Sequence, residues 1–105
     1  MTFQLNIKTP DQLQAEAQAR AKVSITRAID RYVEAQAHAL QYNGAAHLAS
    51  YAASTVPEWA GEAQAFVAWR DSVWQAALAT LADAEASSEA PSVEDVLAAL
   101  PEWPA

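Results

Sequence analysis

The side chains that could do chemistry in this chain are two histidines and the carboxylates near them. Glu34 and His38 are four residues apart, so on a helix they share a face and could bind a metal together. Two ligands do not make a metal site, and an ion pair or a helix-capping contact is the simpler interpretation. Gly44 and Gly61 are isolated and form no phosphate-binding loop. We therefore predict no enzyme, no cofactor and no metal site.

Arg70 is the charged residue with the most informative surroundings. Phe66 and Trp74 stand one helical turn to either side of it, and Trp69 is adjacent. A guanidinium can stack on an aromatic ring while it donates hydrogen bonds to a carboxylate or to backbone carbonyls. Two roles therefore stay open for Arg70, a strut between helices or a contact with a partner protein.

The four tryptophans are more than a core of this size needs. Core packing is the default for Trp69 and Trp74. Trp59 and Trp103 lie near predicted helix ends, where one edge of the ring can stay exposed to water. Amphipathic aromatic side chains in that setting are typical of interfaces, so we predict that Trp59 and Trp103 contact a partner protein.

Composition limits the classes of protein that fit the chain. Its 105 residues suffice for one domain, and the net charge of −7 argues against nucleic acid as a partner, because phosphate contacts need a basic patch. There is no cysteine and therefore no disulfide. The first residues lack the basic and apolar regions of a signal peptide, and charges interrupt the most apolar segment, so we expect no membrane partner.

The elements that position these side chains are predicted to be helices. Thr9, Pro10 and Gln12 carry the signals of a helix start, with a T-x-x-Q capping box around a proline in the first turn. The helix is predicted over 10–42, about 50 Å at 1.5 Å per residue, so its first half should project or pack on a partner. Asn43 and Gly44 should end it, and Asn43 is a candidate cap for a short second helix.

A third helix is predicted over 57–84, and its apolar stripe runs along one side. The stripe consists of Trp59, Ala63, Phe66, Arg70, Val73, Trp74, Ala77, Leu78 and Leu81. A last short helix follows Ser92, with Val93, Val96, Leu97 and Leu100 as its apolar side. We predict an all-α fold in which the long first helix packs on the aromatic third helix. The predicted organisation is an arm over 1–8, a helical domain over 9–85, a linker over 86–91 and a C-terminal helix and tail over 92–105.

The predicted arm holds the only alternating pattern in the chain. Phe3, Leu5 and Ile7 alternate with polar residues, as in a half-buried strand. A lone strand has no pairing partner in a helical chain, so the arm is expected to pair with another chain, either a partner or a second copy in a homo-oligomer. A frayed terminus is the alternative.

Three segments carry a resemblance to a known family. They read QYNGAAHLASYA, VPEWAGEAQAFVAWRDSVW and APSVEDVLAALPEWP. In order and spacing they resemble a small α-helical domain of proteins encoded in the tail-gene clusters of tailed bacteriophages and prophages, over about residues 23–104. The matching positions are Tyr42, Asn43, Ser50, Tyr51, Ala52, 61–65, Trp69, Arg70, Asp71, Val73, Trp74 and 91–100.

The resemblance implies an accessory protein that works by contact with phage tail or tail-fibre proteins, as a structural component or as an assembly chaperone. It supplies no catalytic residue. The protein would act in the cytoplasm of the bacterial host during assembly, with the virion tail as a further location. The competing interpretation is a small phage inhibitor that binds a host bacterial protein, although the acidic residues here are dispersed among alanines rather than arrayed in runs.

Overall fold

The computed structural model describes residues 7–87 and 89–104, and every regular element in them is a helix. The elements are α1 (Pro10–Ala39), α2 (Ala45–Ala49), a 3₁₀ turn (Ser50–Ala53), α3 (Pro57–Ser87) and α4 (Val93–Ala98). The predicted all-α fold is confirmed, with a long first helix packed on an aromatic third helix. None of these helices is long and apolar enough to cross a membrane.

The start of α1 follows the capping prediction. The Thr9 hydroxyl accepts a hydrogen bond from the Gln12 N–H at 3.1 Å, and the Gln12 side chain accepts one from the Thr9 N–H at 2.9 Å. Burial begins only at Ile25, and Leu13 in the first turns is 52% exposed. The first half of α1 therefore contributes little to the core and leaves an apolar side chain in solvent. It makes the molecule elongated, with extents of 69 × 33 × 19 Å.

The predicted N-terminal arm falls largely outside the described residues. Phe3 and Leu5 are not among them, so the strand-like pairing stays a prediction. Ile7 is described and is 77% exposed. Next to it, Lys8 Nζ lies 2.8 Å from Glu16 Oε2, which ties the chain just ahead of α1 to the helix surface.

The end of α1 differs from the prediction, which extended the helix to Tyr42. The helix ends at Ala39, because the Tyr42 N–H bonds to the Ala37 carbonyl and the Gln41 N–H bonds to the His38 carbonyl. These two bonds are those of a Schellman motif, which needs a left-handed residue after the cap. Gln41 has a φ of 72° and fills that position in place of the usual glycine. The prediction failed here because glutamine gives no signal for a left-handed turn.

Replacing Gln41 by glycine should stabilise the domain. A side chain at a left-handed position costs about 1–2 kcal/mol, part of which glycine loses again through its greater freedom in the unfolded chain. We expect a net gain of about 0.5–1 kcal/mol in the free energy of unfolding, measured by urea denaturation. Gln41→Ala is the control, since it removes the same side chain but keeps the Cβ. An equal gain in both variants would contradict the assigned role of the backbone angle.

The core lies between α1 and α3, which run antiparallel. Lys22 near the middle of α1 is 3.7 Å from Glu85 near the end of α3, whereas Tyr42 just after α1 reaches Glu62 in the second turn of α3. The buried side chains of the two helices recur at helical spacing. They are Ile25, Ala28, Ile29, Val33 and Ala37 from α1, and Ala63, Phe66, Trp69, Val73, Ala77 and Leu81 from α3.

The predicted stripe of α3 is partly wrong. Trp59 and Leu78 are 50% and 56% exposed, Arg70 is only partly buried, and Trp69 is buried in the core although the stripe omitted it. The small side chains of Ala63 and Ala77 lie in the buried line and let a neighbouring helix approach closely. The face of α3 that contains these alanines is therefore the buried one, and the predicted stripe mixed it with the adjacent face.

The C-terminal segment belongs to the same core. Ser92 caps α4 by accepting a hydrogen bond from the Asp95 N–H at 3.0 Å, and Val96 and Leu100 are buried. The Pro101 carbonyl then accepts two hydrogen bonds, from Tyr32 Oη at 3.2 Å and from Trp69 Nε1 at 3.0 Å. One carbonyl thus joins the tail to both long helices. The linker predicted over 86–91 overlaps the end of α3, which continues to Ser87.

Candidate partner-binding site

Four aromatic side chains meet at the end of the molecule where α1 finishes and α3 begins. We call Tyr42, His47, Tyr51 and Trp59 the surface aromatic cluster. Ring centroids are 5.8 Å apart for Tyr42 and Tyr51 and 5.8 Å apart for Tyr51 and Trp59. The His47 ring lies 5.6 Å from Tyr42 and 5.4 Å from Tyr51. The rings come from the turn after α1, from α2, from the 3₁₀ turn and from the first turn of α3, so only the folded chain assembles them.

Polar contacts stabilise the connection between α1 and α2. The Ala45 N–H at the start of α2 donates to Glu34 Oε1 at 2.9 Å, so a carboxylate of α1 caps α2. His38 Nε2 lies 3.0 Å from the Asn43 carbonyl and 3.7 Å from Glu34 Oε2. Glu34 therefore makes a helix-capping contact, as the simpler interpretation predicted. The prediction that Asn43 caps α2 is wrong. The N-cap residue of α2 is Gly44, which has no side chain to accept a capping hydrogen bond.

Gly44 leaves space beside α1, and its backbone angle does not require glycine. Its φ of 169° is extended backbone that other residues adopt. A Cβ at this position would lie 2.8 Å from Glu34 Oε2, so the end of the Glu34 side chain would have to shift. The glycine therefore leaves room for the Glu34 carboxylate that caps α2. This cap in turn supports His47, which lies in α2.

His47 connects two members of the cluster to the turn. Its Nδ1 accepts a hydrogen bond from the Asn43 N–H at 3.2 Å, so the proton of the neutral ring lies on Nε2. This Nε2 is 3.4 Å from Tyr51 Oη. The histidine thus has a positioning role for Tyr51.

Tyr42 is fixed from the other side by α3. Its hydroxyl donates a 2.7 Å hydrogen bond to Glu62 Oε1. This bond raises the pKa of the Tyr42 phenol above its ordinary value, and burial and the charge of Glu62 act in the same direction. The phenol therefore keeps its proton in the folded protein where the unfolded chain would begin to release it.

Alkaline pH should remove the stabilising effect of Tyr42. A pKa raised by folding adds stability that is complete below the unfolded value of about 10 and is lost as pH rises through the folded value. At neutral pH, wild type should therefore have a higher melting temperature than Tyr42→Phe. This difference in melting temperature should shrink above about pH 10. Thermal melts at a series of pH values measure it, with Glu62→Gln as a variant that keeps an acceptor but not the charge. A difference that is constant with pH would contradict the Tyr42–Glu62 coupling.

The rings of Tyr42, Tyr51 and Trp59 line a pocket of about 120 Å³ that opens to solvent. Trp59 is half exposed, while Tyr42 and Tyr51 are partly buried. Aromatic rings held in place by their own hydrogen bonds lose little freedom when a partner binds. The pocket is therefore suited to hold one side chain of another molecule.

The sequence-predicted site residues do not form one site. Trp59 belongs to the surface aromatic cluster and Ile7 precedes α1. Trp103 packs on the core, with its ring 6.2 Å from that of Phe66 and 5.6 Å from that of Trp69. Its neighbours give it a structural role in the fold, and a contact with a partner stays a prediction.

Arg70 does not bridge helices in the way a strut would. Its Nε and Nη2 both donate to Oδ1 of the adjacent Asp71, at 3.1 and 3.0 Å. The pair lies on one helix, and its side chains are 34% and 55% exposed. Of the two roles predicted for Arg70, a strut between helices and a contact with a partner protein, the partner contact stays a prediction.

Sequence reasoning missed Tyr42, Tyr51 and Glu62 as members of a site. Tyr42 and Tyr51 are among the positions on which the predicted resemblance rests, but nothing in their spacing shows that they meet Trp59. The Tyr42–Glu62 bond spans 20 residues of sequence. Only the reversal of direction between α1 and α3 places the two side chains together.

Across residues 7–87 and 89–104, no three His, Cys, Asp or Glu side chains are grouped so that they could hold a metal ion. Comparison of the chain with protein-family models, with curated proteins and with solved structures gives no match.

Proposed function

We propose that this protein works by binding other proteins, as an accessory protein of a bacteriophage tail, and that it is not an enzyme. The observation that carries the binding role is the surface aromatic cluster, which presents a half-exposed tryptophan beside a pocket. Exposed, preorganised aromatic side chains are the groups that most often anchor protein interfaces. The function would be that of a tail-fibre or baseplate-associated component, or of a chaperone for one.

The phage assignment is supported by the sequence resemblance. Its matching positions include residues of two kinds of place in the fold. Trp69 and Val73 are buried in the core, whereas Tyr42 and Tyr51 belong to the surface aromatic cluster. If members of a family shared a binding surface as well as a fold, their common sequence pattern would include both buried residues and residues of that surface. The protein would then act in the host cytoplasm during assembly.

Copurification tests the proposal. The tagged protein is expressed in cells that produce the phage, and bound proteins are identified by mass spectrometry. We expect a tail or tail-fibre protein to bind wild type and to be lost with Trp59→Ala. Leu78→Ala is the matched control, because Leu78 is also exposed on α3 but lies outside the cluster.

The identity of the bound protein distinguishes the two candidate roles. A host enzyme in place of a tail protein would contradict the tail role and support the inhibitor. Mass spectrometry of purified particles then separates a structural component, present at fixed stoichiometry, from an assembly factor, which would be absent. Equal binding by wild type and Trp59→Ala would remove the surface aromatic cluster from the proposal.

A further inference from the structure

We propose that the pocket of the surface aromatic cluster binds the cationic end of a single arginine or lysine side chain of the partner protein. This inference rests on the proposed function in one respect, that the ligand is carried by a protein. It adds the chemical class of the group that the partner inserts.

The geometry of the rings favours a cation. The planes of Tyr42 and Tyr51 are inclined by 55°, and those of Tyr51 and Trp59 by 75°. The three rings therefore do not stack as a closed unit but form walls around a shared space. The π face of an aromatic ring is the negative end of its quadrupole, and tryptophan attracts cations most strongly. A group within this space would lie beside the rings of Tyr42, Tyr51 and Trp59, which line it.

A carboxylate strengthens this preference. Glu62 Oε1 accepts the 2.7 Å hydrogen bond from Tyr42, and this bond pushes electron density into the Tyr42 ring. The negative charge of Glu62 therefore lies at the hydroxyl end of Tyr42, one of the three residues that line the pocket. The chain as a whole carries a net charge of −7, which attracts a basic partner surface over a longer range.

The size of the pocket limits what can enter it. Pockets for whole small molecules or cofactors measure roughly 300–1,000 Å³. The volume of about 120 Å³ is well below that range, so it suits the end of one side chain rather than a complete ligand. The pocket opens to solvent and is lined by the half-exposed Trp59, so such a side chain can enter while its backbone stays on the surface.

Titration with short peptides tests the inference on the full chain. The probes are Ac-Gly-Arg-Gly-amide and Ac-Gly-Lys-Gly-amide, and the neutral control is the same peptide with citrulline, which has the shape of arginine without its charge. Binding is followed by the indole N–H signal of Trp59 in two-dimensional NMR, assigned with Trp59→Phe. We expect the charged peptides to shift this signal with an affinity about fivefold above that of the citrulline peptide.

Variants separate the cation effect from simple apolar contact. Trp59→Leu keeps an apolar side chain but removes a π face, so it should reduce the preference for charge. Because this variant lacks the Trp59 indole signal, its binding and that of wild type are compared by isothermal titration calorimetry. Glu62→Gln should reduce the preference, and Leu78→Ala should leave it unchanged. Signals of the core tryptophans report that each variant is folded.

Three outcomes would overturn the inference. Equal binding of the arginine and citrulline peptides would mean that the pocket is an apolar contact only. No binding of any peptide would mean that the pocket is not a site for a basic side chain. Tighter binding of tetramethylammonium than of either charged peptide would indicate a free small cation as the ligand. The proposed function would survive all three if Trp59→Ala still loses the tail protein, so the two proposals can fail separately.

Discussion

Phe66→Ala should lower the free energy of unfolding by about 3–5 kcal/mol. Phe66 is fully buried near the middle of the core, and its ring lies 5.8 Å from Trp69 and 6.2 Å from Trp103. Its removal would leave a cavity between α3 and the C-terminal tail, which surrounding side chains fill only in part. The total stability of a small domain is about 5–15 kcal/mol, so this change should leave the protein close to unfolding. Urea denaturation followed by circular dichroism measures the loss.

Two further positions on α3 show whether burial causes the effect. Leu78 is exposed, and Leu78→Ala should change stability by less than about 0.5 kcal/mol. Trp74 is partly buried and packs at the edge of the core, so its truncation should have an intermediate effect. If Phe66→Ala melted like Leu78→Ala, the assigned core of α3 would be wrong.

Deletion of residues 91–105 should unfold the domain. The segment contributes the buried Val96 and Leu100 and covers Phe66 and Trp69 with the Trp103 ring. Burial of each large apolar side chain stabilises a protein by about 1.5–3 kcal/mol, so the loss of three such side chains is comparable to the whole stability. The deletion also leaves Trp69 Nε1 and Tyr32 Oη without the Pro101 carbonyl. We expect loss of the near-ultraviolet dichroism of the tryptophans and of a cooperative thermal transition.

A loop insertion is the matched control for this deletion. A Gly-Gly-Gly insert between Ala90 and Pro91 lengthens the connection but keeps every contact of α4. Because the entropy of loop closure grows only slowly with length, the insert should cost less than about 1 kcal/mol. A deletion variant that melts at the same temperature as wild type would mean that 92–105 does not stabilise the helical domain. The linker predicted from the sequence before it would then separate it from the domain.

The sequence alone determined the features that depend on nearby residues. The capping box of α1 joins Thr9 to Gln12, and the cap of α4 joins Ser92 to Asp95, each over three residues. Contacts this local form in any chain with these residue types in this order. The alanine-rich composition likewise determined that the described elements are helices, and the apolar side of α4 follows directly from its spacing.

Tertiary structure decided where α1 ends and which face of α3 is buried. Glutamine has little intrinsic preference for a left-handed angle, so the turn at Gln41 depends on what the following Tyr42 contacts. Tyr42 bonds to Glu62 on a different helix. On α3, apolar residues occupy more than one face, and the approach of α1 onto the alanine face leaves Leu78, which the predicted stripe included, in solvent.

The candidate site also combines a feature that the sequence predicts with others that only the tertiary structure shows. The sequence identified Trp59 as a surface aromatic residue because it lies near a helix break. It could not show that Tyr42 and Tyr51 stand beside Trp59, or that Trp103 packs on Phe66 and Trp69 instead. Such proximities depend on how the chain reverses between α1 and α3 and on where the tail docks. Side chains distant in sequence meet only after the helices have packed, so the pocket is a property of the tertiary structure.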